Sequence, residues 1–199
     1  ATPGGPSCAI AGTDAAIAYR VLLGGALPRV FVRCGDSPEC EALAGAEEVK
    51  GAFRCDTGSG DCLVTGFAGD ELICDTGSGD IAVRDVTAAR VRADTGSGDV
   101  RVEGADVEDF LGDTGSGDVV LQAIGSRLRR AAADTGSGDF TVFLPPDTAF
   151  ELQADLGSGD IVSRFADAQA IVHGREVVGY RRGSGAVRIE ADLGSGDVT

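Results

Sequence analysis

Residues 94–102 read Asp-Thr-Gly-Ser-Gly-Asp-Val-Arg-Val, an acidic, glycine-rich motif followed by alternating apolar residues. The motif of six residues recurs along the chain. Asp-Thr-Gly-Ser-Gly-Asp begins at Asp56, Asp75, Asp94, Asp113 and Asp134, and Asp-Leu-Gly-Ser-Gly-Asp begins at Asp155 and Asp192. The first six copies are spaced by 19 or 21 residues, and the seventh follows after 37. Self-similarity at a period of about 20 residues is typical of solenoid proteins.

The residues after each motif predict strands. The residue that follows the second aspartate is Cys62, Ile81, Val100, Val119, Phe140, Ile161 or Val198. Apolar residues recur two positions later in most copies, and this period of two with β-branched side chains is a strand signal. One unit of about 20 residues cannot bury its apolar face alone, so neighbouring units must stack. The sequence therefore predicts an all-β protein, a parallel β-solenoid (β-helix) with turns of 19–21 residues.

The repeats also suggest the domain organisation. Residues 1–50 do not fit the motif, and we interpret them as an N-terminal cap or assembly segment before a β-solenoid repeat domain at 51–199. Residues 164–191 are interpreted as an insertion or a distorted turn. Within them, Arg-Arg-Gly-Ser-Gly-Ala at 181–186 reads as a degenerate copy that has lost both acids.

Composition indicates a secreted protein. The chain has no methionine, even at position 1, which favours processing of a secretory signal peptide. The six cysteines favour disulfides in an oxidising compartment over a metal site, since there is no Cys-x-x-Cys and only one histidine. They are Cys8, Cys34, Cys40, Cys55, Cys62 and Cys74, and their pairing is left open. A bridge from Cys74 to Cys55 or Cys62 would link the first turns, and ordinary buried thiols are the alternative. No apolar run is long enough to span a membrane.

The glycine-rich corner followed by an alternating strand resembles a bacterial family of GSGD-type β-strand repeats of unknown function, related to autotransporter adhesin head domains. The resemblance covers roughly residues 50–199 and implies a parallel β-solenoid at the bacterial cell surface. Gly96–Val102 is also faintly similar to the calcium-binding RTX nonapeptide. The longer period and the direct Gly98-Asp99 junction exclude a transfer of RTX coordination to this chain.

The motif acids carry almost all of the net charge. The formal net charge is −15, and it would be −1 without the fourteen motif aspartates. In a stack they would superimpose about 4.8 Å apart and repel by roughly 1 kcal/mol per contact in water. Several Ca²⁺ ions between turns would relieve this repulsion, because calcium prefers carboxylate and carbonyl oxygens. The predicted ligands are Asp56, Asp61, Asp75, Asp80, Asp94, Asp99, Asp113, Asp118, Asp134, Asp139, Asp155, Asp160, Asp192 and Asp197. The alternative is that these acids only shape solvated turns with diffuse counterions.

The functional prediction is a secreted structural protein at the extracellular bacterial surface. The motif at Asp192 is followed by only two residues, so we expect an incomplete last turn with an exposed corner. An uncovered end favours head-to-tail self-association into a filament. The alternatives are a monomeric adhesin or binding module that contacts cell-surface or matrix components, and a carbohydrate-active enzyme. We expect no enzymatic activity: Asp-Thr-Gly resembles the aspartic protease motif, but stacked copies do not face each other in pairs. The acidity disfavours nucleic acid.

Overall fold

The computed structural model describes residues 15–18, 29–34, 40–43 and 49–199, with side chains from Phe53 onward. Those residues form strands and turns without a helix, and hence no helix that could cross a membrane is found in them. The strands are β1 (Ala15–Ala18), β2 (Arg29–Cys34), β3 (Cys40–Leu43), β4 (Val49–Thr57), β5 (Cys62–Thr65), β6 (Ala68–Thr76), β7 (Ile81–Thr95), β8 (Val100–Ser116), β9 (Val119–Ala123), β10 (Arg130–Ser137), β11 (Phe140–Phe143), β12 (Phe150–Leu156), β13 (Gln169–His173), β14 (Glu176–Arg182) and β15 (Val187–Leu193).

The strands that lead into the motifs stack in parallel. β4, β6, β7, β8 and β10 pair in that order, with each first aspartate opposite the first aspartate of the next turn. The strands that leave the motifs form a second parallel stack, in which β5 pairs with β7, β8 with β9, and β9 with β11. The all-β, parallel β-solenoid prediction is confirmed.

The core lies inside the coil and consists of superimposed apolar side chains. Three residues before each first aspartate, a buried residue points inward in every turn, for example Leu72, Val91 and Phe110. The residue after the second aspartate is buried as well, as at Ile81 and Val100. Successive side chains of a strand point to opposite faces. The alternating apolar residues that predicted the strands therefore point into the coil, and the residues between them point outward.

The last motif does not lie at the end of the stack. β15 pairs in parallel with β10 on one side and with β12 on the other, so the turn at Asp192 lies between the turns at Asp134 and Asp155. The expectation of an incomplete, exposed last corner at Asp192 is therefore wrong. The pairing of a strand is not limited to its neighbours in sequence: the chain leaves the parallel stack after β11 through a loop that contains Pro145 and Pro146, which lack an amide hydrogen for a ladder. The chain then enters β12 without pairing to β10, and β15 fills the gap between them.

Part of the segment 164–191, the hairpin of β13 and β14, covers the end of the stack, whereas residues 187–191 belong to β15 inside it. β14 runs antiparallel to β12, and β13 runs antiparallel to β14. Residues 181–186 are thus the end of an antiparallel strand and a turn, so their interpretation as a degenerate parallel repeat is wrong. β14 pairs with the edge of β12 that would otherwise be free. The uncovered end from which a filament was predicted is therefore not present at this turn. Self-association itself stays a prediction.

The N-terminal segment is described only in part. β1 pairs antiparallel with β4, and β2 pairs antiparallel with β3 and β5. The other residues of 1–48 lie outside the described residues, so the cap or assembly role of residues 1–50 stays a prediction.

Two cysteines are buried thiols in the first turns. Cys62 and Cys74 are both free, so no bridge joins Cys74 to Cys55 or Cys62. The pKa of the Cys62 thiol lies well above its ordinary value, first because of its hydrogen bond with Cys74 and then because of burial. A neutral thiol packs as a small apolar group, which is how this pair fills the core. Disulfide formation by the other cysteines stays a prediction.

The glycines of the motif are required by the close approach of successive turns. A Cβ atom at Gly115 would lie 2.5 Å from the carbonyl oxygen of Gly96 in the preceding turn. We therefore expect Gly115→Ala to lower the free energy of unfolding by about 1–3 kcal/mol in chemical denaturation, as overpacked sites do. Ser116→Ala is the control, because Ser116 is exposed in the same motif and should change stability by less than about 0.5 kcal/mol. Equal stability of both variants would contradict this account of the corner.

Candidate functional site

The motif aspartates form two columns along one corner of the solenoid. The first acidic column contains the first aspartate of each motif, which pair in register from turn to turn. In spatial order it is Asp56, Asp75, Asp94, Asp113, Asp134, Asp192 and Asp155. The second acidic column contains the second aspartates. In the same order it is Asp61, Asp80, Asp99, Asp118, Asp139, Asp197 and Asp160. The predicted stacking of like acids is present, with the order of the last two turns exchanged.

The second acidic column has a structural role. The amide of Asp99 donates a hydrogen bond of 2.9 Å to Oδ1 of Asp80, and the amide of Asp118 donates one of 2.9 Å to Oδ1 of Asp99. The same bond joins every pair of neighbours in this column, at 2.8–3.1 Å. One carboxylate oxygen of each acceptor therefore ties a turn to the next one.

The threonine of the motif points into the core. Thr95 is 1% exposed, and its hydroxyl donates a hydrogen bond of 3.0 Å to the carbonyl of Gly79 in the preceding turn. Thr76 and Thr114 make the same bond to the carbonyls of Gly60 and Gly98. The threonine, the glycines and the second aspartate are thus explained by stacking. The first aspartate is not.

The first acidic column is compensated by arginine at one end. Nη2 of Arg54 lies 3.1 Å from Asp56 and 2.9 Å from Asp75, and all three side chains are roughly half exposed. No hydrogen bond or ion pair of the described residues reaches the other five carboxylates, those of Asp94, Asp113, Asp134, Asp192 and Asp155. These five lie next to one another in the stack.

The electrostatics of Asp113 show the effect of this arrangement. Its pKa is raised, first by burial and then by the charges of Asp94 and Asp134 above and below it. Arg92 lowers the pKa by a smaller amount. The stacking of like charges at this corner therefore has an energetic cost in the absence of a bound cation.

A neighbouring row shows that the same fold can avoid such repulsion. Four residues before each first aspartate, the charges largely alternate along the stack. The row is Glu71, Arg90, Asp109, Arg130, Arg188 and Glu151. Nη1 of Arg90 lies 3.0 Å from Glu71, and its Nε lies 3.7 Å from Asp109.

Sequence reasoning missed this row. Arg130 of this row also pairs with Glu190, and Arg181 pairs with Glu151 of the row. Aligning the sequence at the motifs puts the six positions in one column, so the signal was present in the register of the repeats.

The columns alone do not form a complete metal site. Among the described residues, no group of three or more His, Cys, Asp or Glu side chains could hold a metal ion. A cation at this corner would use carboxylates of successive turns and complete its shell with water or backbone carbonyls, as calcium tolerates. The calcium ladder stays a prediction.

A family model described as Toastrack DUF4097 matches residues 48–199. The chain belongs to this Toastrack family. The match spans the stacked turns of the Toastrack domain and agrees with the prediction of a β-solenoid repeat family. The relation to autotransporter adhesin heads stays a prediction. Searches of curated proteins and of solved structures give no match to this Toastrack chain.

The raised pKa of Asp113 predicts a pH-dependent stability. Because the pKa is higher in the folded state than in the unfolded chain, where it is about 3.9, protonation favours folding. The stabilisation is complete below the unfolded pKa and is lost as pH rises through the folded pKa. We therefore expect Asp113→Asn to raise the melting temperature at pH 7 in chelator by up to about 2 °C, and to have no effect near pH 3.

The control for general charge effects is Asp147→Asn, which removes the same charge from an exposed loop outside both columns. An equal rise of the melting temperature in the two variants at pH 7 would show that the column itself is not the source of the repulsion.

Proposed function

We propose that this Toastrack domain is an extracellular binding module whose first acidic column binds divalent cations, with Ca²⁺ as the ion that fits best. The single observation that supports it is the run of five neighbouring aspartates, Asp94 to Asp155 in spatial order, which no basic side chain of the described residues pairs with. The alternating row beside it shows that compensation by arginine is available to this fold. A cation between the turns would relieve the repulsion from Asp94 and Asp134 that, after burial, raises the pKa of Asp113.

The chemistry of the corner favours calcium. The ligands are carboxylates, and the nearby backbone carbonyls of the glycine-rich turns add further oxygens. Magnesium requires strict octahedral geometry and keeps its waters, whereas calcium accepts six to eight oxygens in irregular arrangements. Thiolate and imidazole metals are disfavoured, because the motif contains neither Cys nor His.

The solvent exposure of the first acidic column indicates how tightly it can bind calcium, and hence in which compartment it would do so. The acids are half-buried or exposed at the surface of the coil, so water competes for each ion. We expect affinities in the range of about 10⁻⁴–10⁻³ M, which is typical of extracellular calcium modules. Such weak affinities would fit a secreted or cell-surface protein.

A monomeric binding module is favoured over the filament. The filament depended on an uncovered last turn at Asp192, and that turn lies inside the stack. An adhesin or binding module needs no uncovered end, because it uses the outer faces of the solenoid. We therefore keep the monomeric module, with cell-surface or matrix components as the class of partner.

Calcium binding is tested by titration calorimetry and by thermal denaturation. Calcium at about ten times its Kd should stabilise the domain by about 1.4 kcal/mol for each independent site, or by roughly 3–6 °C in melting temperature. The double variant Asp113→Asn/Asp134→Asn should bind fewer ions and gain less from calcium. In chelator it should be at least as stable as the unmodified protein.

The control is again Asp147→Asn, which should keep the full number of bound ions. Two results would contradict the proposal: a melting temperature that does not respond to calcium, or the same ion stoichiometry in the double variant. A loss of ions in the control alone would place the site outside the first acidic column.

A further inference from the structure

An apolar cavity lies at the covered end of the stack, next to β11 and β12. Its volume is about 320 Å³, and it is lined mainly by apolar side chains. The lining includes Phe143, Phe150, Leu152, Val162, Arg164 and Phe165. A volume of this size lies at the lower end of the range for small-molecule sites.

The wall of the cavity is held in place by its own contacts. The rings of Phe150 and Phe165 pack with centroids 5.2 Å apart. The guanidinium of Arg182 lies 4.9 Å above the ring of Phe165 and donates hydrogen bonds to the carbonyls of Pro146 and Thr148. It also pairs with Asp167 at 2.7 Å. This wall is therefore formed before any ligand arrives.

The rim of the cavity carries unburied apolar surface. Phe143 is 55% exposed and Val162 is 46% exposed, and both line the cavity. Removing such surface from water is favourable by about 25 cal/mol per Å². A ligand with an apolar portion would therefore gain free energy here.

One positively charged side chain, that of Arg164, indicates the sign of the charge that the ligand carries. Arg164 has the only charged side chain among the described residues that line the cavity, and none of the ion pairs in the described part of the chain includes it. It is exposed, so its guanidinium reaches solvent at the mouth. In a chain with a net charge of −15, a cavity whose described lining residues have one arginine and no acidic side chain favours an anion. Arginine binds carboxylates through two parallel hydrogen bonds.

We infer that this cavity binds a small monocarboxylate with an aliphatic or aromatic tail. The tail packs against Phe143, Phe150 and Val162, and the carboxylate pairs with Arg164. The hydroxyls of Thr141, Ser163 and Thr199 also line the cavity and can donate to the carboxylate. The site shares no residue with the two acidic columns, so it is a second function beside cation binding.

The test uses decanoate below its micelle-forming concentration, titrated calorimetrically into the full chain in chelator. The matched probe is decyltrimethylammonium, which carries the opposite charge on a tail of the same length. We expect decanoate to bind with one site per chain and the cationic probe to bind more weakly. Equal affinity for both probes, or no binding of decanoate, would overturn the inference.

The variants separate the apolar contact from the charge. Arg164→Gln should weaken decanoate about two- to fivefold, as the loss of an exposed ion pair does, and Val162→Asp should weaken it by more than about tenfold. Both residues are exposed, so folding should not be affected. The controls are Arg175→Gln and Ile124→Ala, which change an exposed arginine and an exposed apolar residue away from the cavity. Unchanged affinity in Arg164→Gln would refute the carboxylate assignment.

Two further measurements distinguish other outcomes. Calcium titration of Arg164→Gln should match that of the unmodified protein, so a failure of either proposal is recognised separately. Sedimentation of the free protein should show a monomer. Self-association that Phe143→Ala abolishes would overturn the inference, because the rim would then be the contact with a second copy of the chain.

Discussion

The structure depends on parallel hydrogen bonding between successive turns in strict register. Because the register is kept, every side chain lies above and below its counterparts in the neighbouring turns. Apolar residues such as Val91 and Phe110 therefore form continuous inner columns. The same constraint decides the motif: backbone of one turn lies where a Cβ of the next would be, so only glycine fits, and the threonine hydroxyl has a carbonyl of the preceding turn within reach.

Register also determines how the surface charges interact. A charged position is repeated at every turn, so it either alternates in sign or repels its neighbours. The row through Arg90 and Asp109 alternates and is held by ion pairs. The first acidic column does not alternate, and the charges of Asp94 and Asp134 add to the effect of burial in raising the pKa of Asp113. Because surface ion pairs contribute little individually, the alternating row is better understood as an absence of repulsion than as a source of stability. An added cation can supply the same relief at the column.

The repeat period was sufficient to predict the class of fold and both acidic columns, because motif, strand and turn recur within about 20 residues. It was not sufficient to order the turns. The motif at Asp192 is the same as the motif at Asp155 and differs by one residue from the others, so the motif does not indicate the place of its turn, which the pairing of β15 with β10 and β12 shows. The cavity was missed for a related reason. Phe143 and Arg164 occupy equivalent repeat positions, each four residues after the second aspartate of its motif. The register does not indicate a cavity there, because other parts of the wall, such as Phe165, follow no repeated pattern and only the tertiary arrangement brings them together.

The insertion of β15 between β10 and β12 has a consequence for how the chain acquires its structure. From Asp56 to Asp134 each turn can add to the one before it, through contacts that close loops of about 20 residues. β15 instead joins partners as distant as Arg130 and Glu190, which are 60 positions apart. Contacts between distant segments slow folding. The early turns can therefore form progressively, whereas the stack between β10 and β12 is completed only when β15, which follows both in sequence, enters between them.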